Sequence, residues 1–466
     1  MENYYNIINP FNNNIIGEAP IHSRKEIQNI LDQSYKYKCD LLLNEKLEIL
    51  ESTILSFENE KNEIANLITL ETGLAISAAN HEVERAKNCL KYCIIELEKS
   101  NNINLNDDYH IDKNNRFPEL SVFEESLDLA IGITPFNHPL NLVVHKVGPA
   151  IVAGTPIVIK PSEKTPLTAL KLREILVKNK MPENLFNIIS GMPPKNIVDQ
   201  ILKYKNYDLV SFTGGISIGK YIAKQMVNSG NELKKYIPEL GGNVVFVVMD
   251  DCDINFAAQL AMGAFENSGQ RCTAIRRILL HRKISTAFLE KFVYLTSQIK
   301  YGDPFNPDIE MGTVISSDQA RLIHERVNSA INDGANLLIG NKINGALFSP
   351  TILSNVSQTS EIVQRETFGP VVSIIEIDDL DEAINYIKQD RFGLASGIVT
   401  NSREKAFKLY SNICVGQFSW NGRPGYRTED APFGGFKDSG NGEKEGIVLM
   451  TRAMKRIRTF YEHESN

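Results

Sequence analysis

Between residues 26 and 96 apolar side chains recur at helical spacing. Ile27, Ile30 and Leu31 share one face, and further along Leu47, Leu50, Ile54 and Leu55 share another. A period of 3.6 predicts three or four amphipathic helices here. Residues 99 to 119 are polar and punctuated, and Ser121-Val122-Phe123-Glu124 then turns extended. From Leu127 to Phe212 short apolar runs alternate with amphipathic ones. Leu129 to Ile133, Pro156 to Lys160, Leu185 to Ile189 and Leu209 to Phe212 read as strands, with helices through Leu140 to Ile151 and Pro166 to Lys178. Strands that are apolar throughout and separated by helices predict a parallel sheet covered on both faces, the dinucleotide-binding architecture. A second α/β unit follows, with strands at Val244 to Val248, Ile275 to Leu280, Val371 to Ile375 and Gly397 to Thr400. Its helices are expected from Ile254 to Asn267, Thr286 to Ile299 and Asp318 to Gly334. The basic tail Arg452 to Arg458 reads as a strand or helix edge at a subunit contact.

At 466 residues the chain exceeds what one core supports, so two or more domains are expected. A net charge of −7 argues against nucleic acid or an acidic membrane as the main partner. No apolar run approaches the roughly 20 residues of a membrane helix. The start, Met1-Glu2-Asn3-Tyr4-Tyr5-Asn6, lacks the basic and apolar regions of a signal peptide, so a cytoplasmic location is expected. The six cysteines form no C-x-x-C pair and do not cluster with histidine, which predicts neither a metal site nor a disulfide framework.

Candidate chemistry begins at Cys272, in Phe265-Glu266-Asn267-Ser268-Gly269-Gln270-Arg271-Cys272-Thr273-Ala274. A nucleophilic cysteine needs cationic or dipolar neighbours to ionise, and Arg271 adjoins it. On local context alone Cys272 also reads as a small buried hydrophobe. Upstream, Pro238-Glu239-Leu240-Gly241-Gly242-Asn243 precedes a buried strand. Glu239 reads there as a desolvated general base or as a surface acid in a glycine turn. Gly214-Gly215-Ile216-Ser217-Ile218-Gly219 follows a strand and opens a helix, where backbone and dipole favour a pyrophosphate; the alternative is a plain strand-to-helix turn.

Together these stretches resemble the aldehyde dehydrogenase superfamily, with its Glu-Leu-Gly-Gly and Gly-Gln-x-Cys segments in order. Thr134-Pro135-Phe136-Asn137, Lys160-Pro161-Ser162-Glu163, Phe212-Thr213-Gly214-Gly215, Glu366-Thr367-Phe368-Gly369-Pro370 and Pro432-Phe433-Gly434-Gly435 add to the likeness. The resemblance implies an α/β fold of two Rossmann-like doubly wound domains plus a small β oligomerisation arm. Residues 1–100 and 121–239 would form the NAD-binding domain and 240–440 the catalytic domain. Residues 101–120 and 441–466 would be oligomerisation segments of a homodimer or homotetramer.

The implied activity is NAD(P)-dependent oxidation of an aldehyde to the carboxylate. Cys272 is the implied nucleophile, Asn137 the oxyanion donor alongside the Cys272 backbone N–H, and Glu239 the base for thioester hydrolysis. Relatives that pass the acyl group to coenzyme A usually lack that carboxylate, so water is the expected acceptor. Cofactor contacts fall on Thr134, Pro135, Phe136, Lys160, Ser162, Glu163, Phe212, Thr213, Gly214, Gly215, Gly219, Leu240, Gly241, Glu366 and Phe368. Lys160 and Glu163 are implied at the adenosine ribose and Glu366 at the nicotinamide ribose. A carboxylate at Glu163 repels a 2′-phosphate, so NAD is expected, with NADP the alternative.

Substrate contacts are assigned to His138, Arg271, Thr273 and Arg427, which would bring positive charge to the far end of the aldehyde. Arg271 alternatively only lowers the thiol pKa, and Arg427 alternatively sits in a solvated loop. Local strings are most similar to phosphonoacetaldehyde dehydrogenases, with non-phosphorylating glyceraldehyde-3-phosphate and lactaldehyde dehydrogenases nearby. Such enzymes imply one more anion-binding arginine from the N-terminal helices, for which Arg85 and Lys91 are the candidate positions. A catalytically silent structural relative would have lost Cys272, Glu239 or Asn137, and all three are present.

Overall fold

Two mainly parallel sheets, built from the aliphatic runs, organise the computed structural model, which describes residues 3–100, 119–230 and 233–463. The first has five strands in the spatial order Phe186–Ile188, Ile157–Lys160, Ala130–Ile133, Leu209–Gly214, Lys235–Leu240, all parallel. The second has seven, in the order Asn336–Ile339, Thr351–Ser354, Val371–Ile377, Ile275–His281, Val244–Val248, Ala395–Val399, Gln417–Trp420, with only the first of these antiparallel to its neighbour. Every residue of Ala130–Ile133, Ile157–Lys160 and Val244–Val248 is buried, as strands covered by helices on both faces must be.

The periodic N-terminal stretch forms four helices, Arg24–Lys36, Leu43–Asn59, Lys61–Thr72 and Ile76–Ser100. Ala79, Val83, Ala86, Leu90 and Cys93 of the last share a core with Val143, Val147 and Ile151 of the helix Asn141–Ala153. The packing is close enough that a Cβ on Gly148 would meet the Cys93 sulfur at 2.6 Å. Two buried glutamates on these helices cap the first sheet's own helices. Glu71 accepts from the Leu167 and Thr168 backbone N–H groups at 2.6 and 2.9 Å and from the Thr168 hydroxyl at 2.5 Å, at the start of Pro166–Lys178. Glu82 accepts from Leu140 and Asn141 N–H at 2.8 and 3.0 Å, at the start of Asn141–Ala153. Carboxylates there satisfy orphan donors and complement the positive end of the helix dipole.

Several expectations are corrected. The helix begun at Ile254 ends at Ala261 rather than Asn267 and continues as two 3-10 turns, with left-handed Asn267 and Ser268 at φ 58° and 53°. That break lets the loop carrying Cys272 fold back. The strand Lys235–Leu240 was not predicted because Pro238 interrupts it; proline is tolerated there because the strand lies at the sheet edge. The hairpin Tyr4–Ile8 with Ile15–Pro20 was likewise hidden by its asparagine-rich surroundings. Residues 441–466 are not one oligomerisation segment. Ile447, Met450 and Met454 are fully buried in the first core, because their spacing places all three on one side of the helix Ile447–Ala453 and its cap. Only Lys455–Glu462 forms an outlying ribbon, antiparallel to Glu119–Ser126, with Phe123, Ile457 and Phe460 exposed. Most of the expected 101–120 segment, residues 101–118, lies outside the described residues. Among the described residues no helix is long and apolar enough to cross a membrane, and no histidine, cysteine or acidic cluster could hold a metal.

Glu71→Ala strips three hydrogen bonds from a buried helix start and is expected to cost about 2–3 kcal/mol, the scale of leaving buried donors unsatisfied. Differential scanning calorimetry should show the first transition lowered by several degrees; an unchanged transition would count against the capping role.

Candidate active site

The carboxyl ends of three neighbouring strands of the first sheet open onto a cavity of about 280 Å³. Pro135 to His138 follow the strand Ala130–Ile133, Thr213 to Gly215 close the next, and Glu239 to Gly241 end the edge strand. Parallel pairing of Thr213 with Glu239 and of Gly214 with Leu240 fixes their alignment. The opposite wall carries Arg271, Cys272, Thr273, Glu366, Phe368 and Arg427. Sequence positions as far apart as 135 and 427 thus meet in one crevice, where ligands of open parallel sheets bind.

Six expected cofactor residues do not line this cavity. Phe212 is buried in a separate cluster with Ile131, Ile222 and Leu240, and Gly219 packs on Leu240, whose Cδ2 a Cβ would meet at 2.4 Å. Both serve helix-on-strand packing. Thr134, Lys160, Ser162 and Glu163 cluster at the neighbouring strand end, where Thr134 N–H donates to the Lys160 carbonyl at 3.1 Å and Lys160 Nζ reaches Glu163 at 3.4 Å. Burial lowers the Lys160 ammonium pKa, against the pull of Glu163. These residues fit a dinucleotide. The Thr134 hydroxyl is buried without a partner, the helix Ile216–Asn228 starts with no side-chain cap, and nothing lies within 4 Å of a Cβ placed on Gly215. An uncapped helix start with open space before it receives a phosphate readily.

The loop bearing Cys272 is held by its own backbone. The Asn137 amide donates to the Gln270 carbonyl at 2.9 Å, and the Asn267 amide donates to the Asn137 carbonyl at 3.1 Å. Gln270 in turn accepts from Ile315 N–H at 2.8 Å. Below the loop, Arg276 donates to Gly369 O at 2.6 Å, to Arg271 O at 3.2 Å and to Gly269 O. Gly269 adopts φ +67° with its Cα against the Gly369 backbone, where a Cβ would lie 2.1 Å from the carbonyl oxygen. Only glycine satisfies both demands. Arg276 was not singled out from the sequence. The available signal was a guanidinium inside the otherwise apolar strand Ile275–His281, a position that requires buried acceptors.

Electrostatics in the cavity are dominated by desolvation. Burial pushes the Cys272 thiol up to about 11; Glu366 adds to this, while Arg427 and Arg271 oppose it. Arg271 thus pulls the thiol pKa down, as its adjacency suggests, but burial outweighs both guanidiniums. Burial likewise pushes Glu366 up to about 7 despite Arg276 and a 3.2 Å hydrogen bond from Gly242 N–H. Glu239 is 3% exposed, neither of its carboxyl oxygens has a hydrogen-bond partner, and burial followed by Glu445 raises its pKa well above the carboxylate range. Behind it the fully buried Lys146 donates to Ser211 Oγ at 2.6 Å, Thr213 Oγ1 at 3.0 Å and Glu445 Oε1 at 2.5 Å. Burial works against the Glu445 charge, yet Lys146 holds that carboxyl below its ordinary value. Lys146 and Glu445 were not assigned roles from the sequence; a lysine inside the apolar helix Asn141–Ala153 was the signal.

Three guanidiniums stand where the cavity widens into an outer cleft of about 1010 Å³, which shares Arg85, His138, Arg271, Gly425 and Arg427 with it. Of the two helix candidates Arg85 lines both spaces, and Lys91 only the outer one. Arg85 is gripped by Glu429 through Nε at 2.7 Å and Nη2 at 3.2 Å, and His145 Nε2 lies 2.6 Å from the same carboxylate. Arg271 donates to Glu266 at 2.5 Å. Arg427 lies 4.0 Å over the Phe433 ring, and its Nη1 is shielded from solvent without a hydrogen-bond partner. His138 faces Glu82 at 3.4 Å, and burial lowers its pKa although Glu82 opposes this. Thr273 packs beneath Gly425, where a Cβ would meet its own at 2.3 Å.

Below its pKa a thiol gains thiolate tenfold per pH unit. In the free enzyme, alkylation of Cys272 by iodoacetamide should therefore rise by about tenfold per unit from pH 7 to 10, read on its peptide by mass spectrometry. A plateau near pH 8.5 would show that the guanidiniums win over burial.

The sequence profile of the aldehyde dehydrogenase family matches residues 1–459. The sulfoacetaldehyde dehydrogenase of Neptuniibacter caesariensis is 33% identical over 463 residues, covering 98% of this chain and 99% of its own. The lactaldehyde dehydrogenase of Methanococcus aeolicus is also 33% identical, over 97% of this chain and 95% of its own. Among solved structures, glyceraldehyde-3-phosphate dehydrogenase GapN from Methanocaldococcus jannaschii complexed with NADP superposes with a TM-score of 0.90 at 31% identity, covering 100% of both chains. With its two sheets, its crevice and nearly its whole length accounted for in this way, the chain belongs to the aldehyde dehydrogenase family.

Proposed function

We propose that this chain oxidises a small anionic aldehyde to its carboxylate, using NAD(P)⁺, with water as the final acyl acceptor. The observation that carries the substrate class is the set of three guanidiniums, Arg85, Arg271 and Arg427, around the mouth of the cavity that holds Cys272 and Glu239. The names of the relatives support it, since two of the three act on a sulfonated or phosphorylated aldehyde.

In this mechanism Cys272 Sγ attacks the aldehyde carbon as its proton passes, through a water, to the Glu239 carboxylate. A raised Glu239 pKa makes that carboxylate a stronger base than an exposed one. The carbonyl oxygen gains charge as the C–S bond forms. One N–H of the Asn137 amide is spent on Gln270, and the other, with the Cys272 backbone N–H, donates to that oxyanion. The bound nicotinamide supplies the hydride acceptor. Once the aldehyde hydrogen has left with its electron pair, Cys272 carries a thioester. Glu239 first gives the thiol proton up to solvent and then takes a proton from water, whose oxygen attacks the thioester carbon; the C–S bond breaks and the leaving sulfur recovers the proton that Glu239 took from that water. Lys146 and Glu445 fix the polar floor beneath Glu239, and Lys160 with Glu163 holds the adenosine ribose, where the carboxylate favours NAD over NADP. Residues 1–100 and 121–239 serve the cofactor and 240–440 the thiol chemistry. The ribbon of Glu119–Ser126 and Lys455–Glu462, with its exposed apolar side chains, joins subunits into a dimer or tetramer.

The test is NADH formation with anionic aldehydes (sulfoacetaldehyde, phosphonoacetaldehyde, glyceraldehyde 3-phosphate) against neutral ones (propanal, lactaldehyde). The anions should show kcat/KM at least about tenfold higher, and Arg427→Leu should erase the difference, one desolvated ion pair being worth about a factor of ten or more. Equal or better turnover of the neutral aldehydes, or none at all, sinks the proposal. Glu239→Gln should keep a pre-steady-state burst of NADH while steady turnover drops by roughly 10²–10⁴, the range for a lost general base. An unaltered steady rate would remove Glu239 from that role.

A further inference from the structure

The three guanidiniums are not equally available. Glu429 holds Arg85 through two hydrogen bonds and is buried, and Glu266 holds Arg271 at 2.5 Å. Glu266 also accepts from Arg423, further out on the rim. Arg427 alone among the three has a shielded N–H with no partner, although Phe433 covers one face of it. Three cations at the mouth therefore face two carboxylates there, an excess of one positive charge; deeper in the cavity Lys146 pairs Glu445, and burial disfavours the charged forms of Glu239 and Glu366. Extending the inventory to the outer cleft adds Arg423 and Lys91 on one side and Glu82 and Glu310 on the other, and the excess stays at one. Burial lowers the pKa of His81, His138 and His145, which keeps these rings neutral at neutral pH and above.

Building on the anionic-aldehyde function above, we propose that the cavity is matched to a monoanionic head group, a sulfonate or carboxylate, and discriminates against dianionic phosphoryl groups through Glu429 and Glu266. A phosphoryl group carries about −1.5 to −2 charges at pH 7, so one charge would be met by Arg427 and the other would enter a site whose remaining cations are already neutralised. A charge moved from water into a poorly solvated site without a counter-charge is strongly disfavoured. A sulfonate has the same tetrahedral shape and three acceptor oxygens with a single charge, so it takes the free Arg427 donor and shares hydrogen bonds with Arg85 and Arg271 without breaking their pairs. Glu429 and Glu266 are thus positioning residues for specificity, acting through the arginines they hold.

Sulfoacetaldehyde and phosphonoacetaldehyde form a near-isosteric pair that isolates the charge. With the intact enzyme and saturating NAD⁺ at pH 8, the ratio of kcat/KM for the sulfo over the phosphono aldehyde should be at least about ten, carried mainly by KM. The ratio should narrow toward pH 6, as the phosphono group takes up its second proton. Glu429→Gln and Glu266→Gln should each lower the ratio by about tenfold, because each frees one guanidinium for the second charge. A ratio taken within one variant cancels any loss of active enzyme, and Glu266, on the rim, serves if the buried Glu429→Gln variant does not fold. A wild-type ratio of one or less at pH 8, or a ratio unmoved in every folded variant, overturns the proposal. Were propanal to outrun both anions, the anionic-aldehyde function itself would fall, and this specificity with it.

Discussion

The five residues from Glu239 to Asn243 carry the chain from the edge of one sheet to the middle of the other, and the site depends on how tightly that crossing is packed. Leu240 N–H donates to Ser439 O at 3.0 Å, and the Ser439 hydroxyl donates to Gly241 O at 2.8 Å. A Cβ on Gly241 would sit 2.1 Å from a Glu366 carboxyl oxygen, and one on Gly242 would sit 2.3 Å from the Cys272 carbonyl. Glu239, the loop bearing Cys272 and the Glu366 carboxyl are therefore held against one stretch of backbone. Any side chain there would push at least one of them away. Two adjacent glycines are required by contact rather than by turn geometry, since neither has a left-handed φ.

The second theme is charge kept out of water. Cys272, Glu239 and Glu366 all favour their neutral forms because burial outweighs the cations nearby. Several buried charges are paired, Lys146 with Glu445, Arg85 with Glu429 and Arg277 with Asp390, while Arg276 is met by backbone carbonyls. Glu71 and Glu82 apply the same rule to the scaffold, satisfying helix starts that no local side chain caps. Glu82 thus orders the start of the helix that follows Asn137, and so ties the N-terminal bundle to the segment bearing Asn137.

Much of this was legible in the chain itself. Strands such as Ile157–Lys160 and Val244–Val248 declare themselves because burial on both faces demands uninterrupted aliphatic residues, and the N-terminal helices declare themselves by period. Cys272, Glu239 and Glu366 stood out as candidates because close backbone approach requires glycines two or three residues from them, at Gly269, Gly241 and Gly369, which leaves short distinctive strings. Arg276 and Lys146 did not stand out, since the partners of Lys146 are two hydroxyls and a carboxylate 65 or more residues away, and those of Arg276 are backbone carbonyls. The strand bearing Glu239 was hidden by a proline that only its edge position excuses.

Sequence alone determined the class of fold and which thiol, carboxyl and guanidinium groups were candidates for its chemistry, because composition and local spacing encode burial and backbone freedom. Tertiary structure alone decided which charges survive. The pairing of Arg85 with Glu429, across 344 positions, and the desolvation that lifts the Cys272 thiol depend on how distant segments close around a common space. Net electrostatic potential is a sum over neighbours in three dimensions, and no local pattern carries that sum.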